Sequence, residues 1–151
     1  MIQMKDIGAL ITALRAAGNA ALTAGGAGDN TAVPGVILDR AAIGMPQSGL
    51  LAIPFTATLA AGETLSVTYT VEEGEAADLS DAATLLTGTV VAATGPAGGA
   101  TVTGCIELDV KLRAGGRYVR VTYTPDLSAS GTDTAALSAL LICGGMDRLP
   151  Q

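Results

Sequence analysis

Residues Gly49–Glu73, GLLAIPFTATLAAGETLSVTYTVEE, decide the fold class. Leu51, Ile53, Phe55, Ala57 and Leu59 alternate with Ala52, Pro54, Thr56 and Thr58. After Ala60-Ala61-Gly62 the alternation resumes, with Leu65, Val67, Tyr69 and Val71 set against Thr64, Ser66, Thr68, Thr70 and Glu72. Successive side chains on a strand point to opposite faces, so each run has one apolar and one polar face. Two such runs about a tight turn predict an antiparallel hairpin, Leu50–Leu59 against Glu63–Glu73, with one face in a core and the other in water. The polar face carries Thr and Ser and no group suited to catalysis.

The same rhythm runs outward in both directions. Upstream, Val33–Asp39 predicts a short strand, and Gly44–Gly49 a turn around Met45-Pro46-Gln47-Ser48. Downstream, Ala83–Ala93 is strand-like and Thr94–Ala100 is a Gly/Pro turn. Thr101–Leu112 then sets Val102, Ile106, Leu108, Val110 and Leu112 against Glu107, Asp109 and Lys111. Arg113-Ala114-Gly115-Gly116 is a turn signal. Arg117–Thr124 places Val119, Val121 and Tyr123 opposite Tyr118, Arg120, Thr122 and Thr124. Pro125–Asp133 reads as a long polar connection, and Gly144–Gln151 as an irregular tail. Thr134–Cys143 is apolar at both parities, which predicts a strand covered on both faces. Seven or eight strands with turn signals roughly every 8–12 residues predict an all-β antiparallel sandwich or barrel. Eight strands in two sheets would be a jelly roll, an architecture common in viral coats.

The N-terminus reads differently. Ile2, Ile7, Leu10, Ile11 and Leu14 recur at helical spacing, with Asp6 placed to cap the start and Gly18-Asn19 to end it. This predicts a short helix over residues 6–17, or an arm reaching a neighbouring subunit. The domain reading is therefore a helix or arm over 1–20 and a single β-sandwich domain over 21–151.

The chain has 151 residues, enough for one domain with a real core. Apolar residues make up 49%, which argues against disorder throughout, yet aromatics are only 3%, with one Phe and no Trp. Such a core must be thin and tightly interdigitated, or must extend into a subunit interface. The net charge of −6 and the 15% of charged residues argue against a nucleic-acid binder. The close basic group Lys111, Arg113, Arg117 and Arg120 lies beside Glu107 and Asp109 and reads as paired surface charge. Few charges suit a protein packed against neighbours. Met1–Asp6 lacks the basic and apolar regions of a signal peptide, and apolar runs such as Ala135–Cys143 are too short for a helical membrane span.

Candidate chemistry is sparse. Histidine is absent, which removes the commonest general base and metal ligand and excludes Cys-His and Ser-His-Asp nucleophiles. A Ser-Lys pair would have to use Lys5 or Lys111, and nothing positions either. The glycine loop Gly25–Asn30 lacks the Lys-Ser/Thr of a phosphate-binding loop and reads as a surface loop. Glu72, Glu73, Glu75, Asp78 and Asp81 form the most acidic segment, without the spacing of a calcium loop, and read as a solvated charged loop able to meet a basic partner. Glu107 and Asp109 share a strand face, but a glycosidase cleft needs aromatics, so ion pairing to Arg117 or Arg120 on the next strand is the expectation. Cys105 and Cys143 lie in apolar runs and read as two buried thiols in a protein made in a reducing cytoplasm; a disulfide requires neighbouring strands, a matter of geometry. No catalytic, cofactor-binding or metal site is expected, and no enzyme.

From Val33 to Pro150 the chain resembles decoration, or cement, proteins of tailed-bacteriophage heads. The resemblance rests on Pro34-Gly35-Val36-Ile37-Leu38-Asp39-Arg40, on the turn Thr58–Leu65, on Arg117-Tyr118-Val119-Arg120-Val121 ahead of Thr124–Asp133, and on Gly144-Gly145-Met146-Asp147-Arg148-Leu149-Pro150. It implies a jelly-roll sandwich on the capsid exterior that stabilises the lattice. The implied partners are the major capsid protein and the chain itself, as dimer or trimer, with no nucleic acid and no membrane, after synthesis in the host bacterial cytoplasm. Residues 1–20 and the loops 25–31, 74–82 and 125–133 are the expected contacts. The alternatives are another phage structural component (tail-tube, head-completion or fibre-associated) and a carbohydrate-binding β-sandwich module, which the scarcity of aromatics disfavours.

Overall fold

The computed structural model describes residues 7–113, 115–129 and 131–146. Among these the chain forms eight strands: β1 (Ile11–Thr23), β2 (Leu38–Asp39), β3 (Pro46–Leu59), β4 (Thr64–Gly74), β5 (Ala83–Thr94), β6 (Ala100–Lys111), β7 (Tyr118–Leu127) and β8 (Thr134–Met146). They build two antiparallel four-stranded sheets, ordered β1-β8-β3-β6 and β2-β7-β4-β5. The pairs β1–β8, β2–β7, β3–β6 and β4–β5 are those of one long hairpin folded over on itself, which is a jelly roll. The sequence expectation of an antiparallel β-sandwich of this type holds.

The alternation in residues 49–73 assigns faces correctly. Leu51, Ile53, Ala57, Leu59, Leu65, Val67 and Val71 are buried in one core with Val119, Val121, Tyr123, Leu137 and Leu141. The expected hairpin is nevertheless absent. β3 pairs with β6 and β8, whereas β4 pairs with β5 and β7, so Ala60–Glu63 carries the chain from one sheet to the other. An apolar face must meet another apolar face, and a facing sheet satisfies that as well as a neighbouring strand does. The link is fixed by Glu63 N–H donating to Ala60 C=O (3.1 Å), Gly62 N–H to Gly95 C=O (2.9 Å) and Gly95 N–H to Glu63 C=O (2.7 Å).

Several other expectations are corrected. The helix over 6–17 is not formed in the described residues: Ile7–Ala9 make one 3-10 turn and Ile11–Thr23 are strand β1. The reason lies in the ladder to β8, whose register shifts between Arg15 and Ala17 and again between Ala17 and Ala20. A bulge puts consecutive residues on one side, here the buried Ala16 and Ala17, and so breaks the period of 2 into something that reads as helical. Val33–Asp39 is strand only at Leu38–Asp39, with isolated bridges from Val33 to Tyr123 and from Gly35 to Ala17. The turn expected over 44–49 is shorter, because β3 begins at Pro46. β7 runs on to Leu127, and β8 to Met146. β8 is covered on one face only: Ala135, Leu137, Ala139, Leu141 and Cys143 are buried, while Leu140 and Ile142 are partly exposed.

Candidate functional site

Antiparallel order sends the chain links to two opposite ends, and each end holds the side chains that the sequence left unassigned. At one end lie residues 24–32, 60–63, 95–99 and the described part of 128–133, residues 33–37 running back along β1 and β7 toward the other end. Asp133, 4% exposed, accepts the Ala60 N–H on both carboxylate oxygens (3.1 Å each), while its own carbonyl accepts Ala24 N–H (2.9 Å). Asp29 accepts Gly25 N–H (2.7 Å) and Leu127 N–H (2.9 Å), so the glycine loop is tied to the end of β7. Ser128 accepts Thr64 N–H and donates to Glu63, at 2.7 Å each. Carboxylates here do the work of backbone acceptors that the turns lack.

At the other end lie residues 40–45, 75–82, the described part of 112–117 and the start of β1. Arg40 is 2% exposed, and its guanidinium donates to the carbonyls of Gly115 (2.5 Å), Gly116 (2.7 Å) and Pro46 (2.8 Å). Glu73 accepts Gly116 N–H (2.9 Å). A side chain on Gly115 would run into the Glu73 carboxylate and press on the Arg40 guanidinium, so both groups approach that backbone from one side. Asp39 caps the turn Arg40–Ile43 through Ala41 N–H (2.9 Å) and pairs with Arg117 (2.8 Å). The Arg117 hydrogen bond holds the Asp39 carboxyl below its ordinary value, and the same bond raises Arg117.

The acidic segment is consumed locally. Glu72 pairs with Arg120 (2.7 Å), Asp81 accepts the N–H groups of Glu75 (2.9 Å) and Ala76 (3.1 Å), and Asp78 accepts Ser80 N–H (3.0 Å). Backbone N–H donation, from Ser80 and from Glu75, lowers the Asp78 and Asp81 carboxyls respectively. Among the described residues no group of three or more His, Cys, Asp and Glu side chains converges as metal ligands would. The expected pairing of Glu107 or Asp109 with Arg117 or Arg120 is not made: β6 and β7 belong to different sheets, and the two arginines take Asp39 and Glu72 instead.

The expectation of two buried thiols is half corrected. Cys143 is buried and burial pushes its thiol up to about 11, but Cys105 is exposed on the outer side of β6. Both are free, because β3 lies between their strands. The four expected contact segments do not form one surface. Loops 25–31 and 125–133 lie at the Asp133 end, loop 74–82 and the start of β1 at the Arg40 end. The surface instead shows two features, the first read in the sequence only as a Thr/Ser face of β4 and the second not read there at all. The outer face of the second sheet carries rows of threonine, with Thr68 and Thr89 bonded at 2.8 Å and Thr70 and Thr87 at 3.2 Å. The outer face of the first sheet carries aliphatic residues at its Arg40 end, Ile11 (36% exposed, opposite Gly144) with Leu50 and Ile142 opposite each other in register, and the exposed Ile7 (70%) and Leu10 (39%) precede β1 there.

No family model matches this chain, and no curated protein matches it. Solved structures do. The crystal structure of the infectious bursal disease virus VP2 subviral particle is similar with a TM-score of 0.51 and 13% identity, over 93% of this chain and 34% of that one. The structure of the Gt strain of the same virus gives 0.50 and 13%, over 92% and 34%, and that of the Gx strain 0.49 and 12%, over 91% and 33%. The chain thus spans about a third of the length of these viral proteins. These neighbours are viral capsid proteins with a jelly-roll-like β fold, and at such identities the likeness is one of fold.

Proposed function

We propose that this chain is a structural virion protein that binds the outer surface of a phage head and stabilises the capsid lattice as a decoration protein. Its partners are the major capsid protein and further copies of itself, and it acts on the capsid exterior after synthesis in the host bacterial cytoplasm. One observation carries the reading: a jelly roll of the viral-coat kind whose buried or clustered charges mostly hold its own loops, leaving threonine rows on one outer face and aliphatic residues with the β6 charges Glu107, Asp109 and Lys111 on the other. The fold likeness to a viral capsid protein supports a virion role. The phage-head resemblance of the sequence supports the finer assignment.

The contact surface in this reading is the outer-face aliphatic group Ile11, Leu50 and Ile142 together with the exposed Ile7 and Leu10 just before β1, since exposed apolar surface gathered at one end marks an interaction site. Many copies on a repeating lattice turn a modest contact into firm retention. The experiment is to quantify the protein in purified virions and to heat heads assembled without it. A copy number matching the capsid lattice, with heads that burst at lower temperature in its absence, is the expected result. Absence from virions, or equal heat stability of heads lacking it, overturns the reading.

A further inference from the structure

We propose that β5 pairs with β5 of a second copy of this chain about a two-fold axis near Gly88, so that the sheet β2-β7-β4-β5 runs on across a dimer. The inference deepens the self-association named above and names its surface.

Two sheets have four edge strands, and a bare edge is a template for another strand unless it is protected. Three of the four are protected here. β2 is only Leu38–Asp39. β1 carries Arg15 and two register shifts, and residues 33–37 lie along it, with Val36 N–H donating to Ala16 C=O (2.9 Å) and a bridge between Ala17 and Gly35. β6 carries Glu107, Asp109 and Lys111. β5 also carries two register shifts, but it has no charged residue and no segment is bridged along its free edge among the described residues. Its twelve residues, ATLLTGTVVAAT, contain no charge and no proline. Leu86–Val91 stay in unbroken register with β4, between two shifts that flank them. Val91 is 59% exposed. Beside β5 runs a groove of about 380 Å³ toward β6, lined by Val90, Ala92, Val102, Ile106 and Leu108.

The occupant is argued from the strand itself. Residues 85–91, Leu-Leu-Thr-Gly-Thr-Val-Val, have matching chemistry about Gly88: Thr87 with Thr89, Leu86 with Val90, Leu85 with Val91. A two-fold axis at Gly88 places those partners opposite each other across an antiparallel pair, as an isologous interface requires. The outer face already pairs threonine with threonine across β4 and β5, through Thr68–Thr89 and Thr70–Thr87. The dimer continues that row from Thr70 through Thr87 to Thr89 and Thr68 of the second copy. Aliphatic residues meet on the inner side. A side chain at Gly88 would meet the Tyr69 hydroxyl, which would have to shift.

The test is sedimentation of the full chain and of two double variants at exposed, outward positions. Thr87→Glu/Thr89→Glu puts carboxylate opposite carboxylate twice per interface. Thr87→Glu/Thr89→Lys puts each Glu opposite a Lys. The expected result is a dimeric parent, a dissociation constant raised at least about tenfold in the first variant and restored in the second, because opposed like charges destabilise a strand pair and opposite charges support it. A monomeric parent, an unchanged assembly state in the first variant, or equal dissociation of both variants overturns the pairing. The virion reading fails separately: a dimer meeting these outcomes that does not bind phage heads overturns that reading and leaves the interface standing.

Discussion

Arg40 shows what a single buried charge does in a chain with few charges. Its guanidinium gathers three carbonyls, from Gly115, Gly116 and Pro46, and so joins the β6–β7 link to the start of β3. Arg40→Met leaves those acceptors without a donor and is expected to cost about 3 kcal/mol, with Arg40→Lys intermediate because one ammonium cannot reproduce the fork. Urea unfolding followed by circular dichroism measures both; equal stability of parent and Met variant contradicts the assignment. This role was not legible in the sequence, because the acceptors are backbone atoms up to 76 positions away. Asp133 escaped for the same reason, holding Ala60 from 73 positions away. Cys105 was legible and was misread: Val102, Ile106 and Val110 share one parity, so the neighbouring odd position had to face outward.

At the level of the element, the period of 2 marked the strands and the inward residues well, because burial on one face is written into every second position. Which strand pairs with which was not written there. The runs in β3 and β4 look like a hairpin and are instead parts of facing sheets, since the pattern constrains faces and leaves neighbours free. β1 was lost to its register shifts. One glycine shows how tightly the flank beside β1 is closed. At Gly35 the carbonyls of Val121 and Ala16 occupy the space a methyl group would need, because residue 35 runs between β1 and β7. Gly35→Ala is therefore expected to destabilise by roughly 3 kcal/mol as an overpacked site. Gly62→Ala is the control: φ is +81° but nothing lies within 4 Å, so only the left-handed conformation is penalised, by about 1 kcal/mol. Chemical denaturation of the two variants ranks them, and a Gly35 variant as stable as the Gly62 variant refutes the closed flank.

For the whole molecule, the folded-over hairpin brings the first and last strands together, β1 against β8, so the N-terminal end of the fold arrives beside Met146 and Arg40. The strands from Ile11 onward bury the core, whereas the turn Ile7–Ala9 buries no residue and holds Ile7 out at 70% exposure. On the proposed reading a partner surface covers Ile7. A chain beginning at Ile11 is expected to keep its thermal midpoint within about 2 °C, the shift that well under 1 kcal/mol gives a domain of this size, and to lose retention on phage heads. Ile142→Glu, in the same aliphatic group but within β8, should weaken retention in the full chain without removing the N-terminal residues. Co-sedimentation with heads lacking the protein, alongside thermal unfolding, reads both properties. A truncated chain that unfolds far earlier would make the N-terminal residues part of the fold. One that binds heads as well as its parent would move the contact surface to another face.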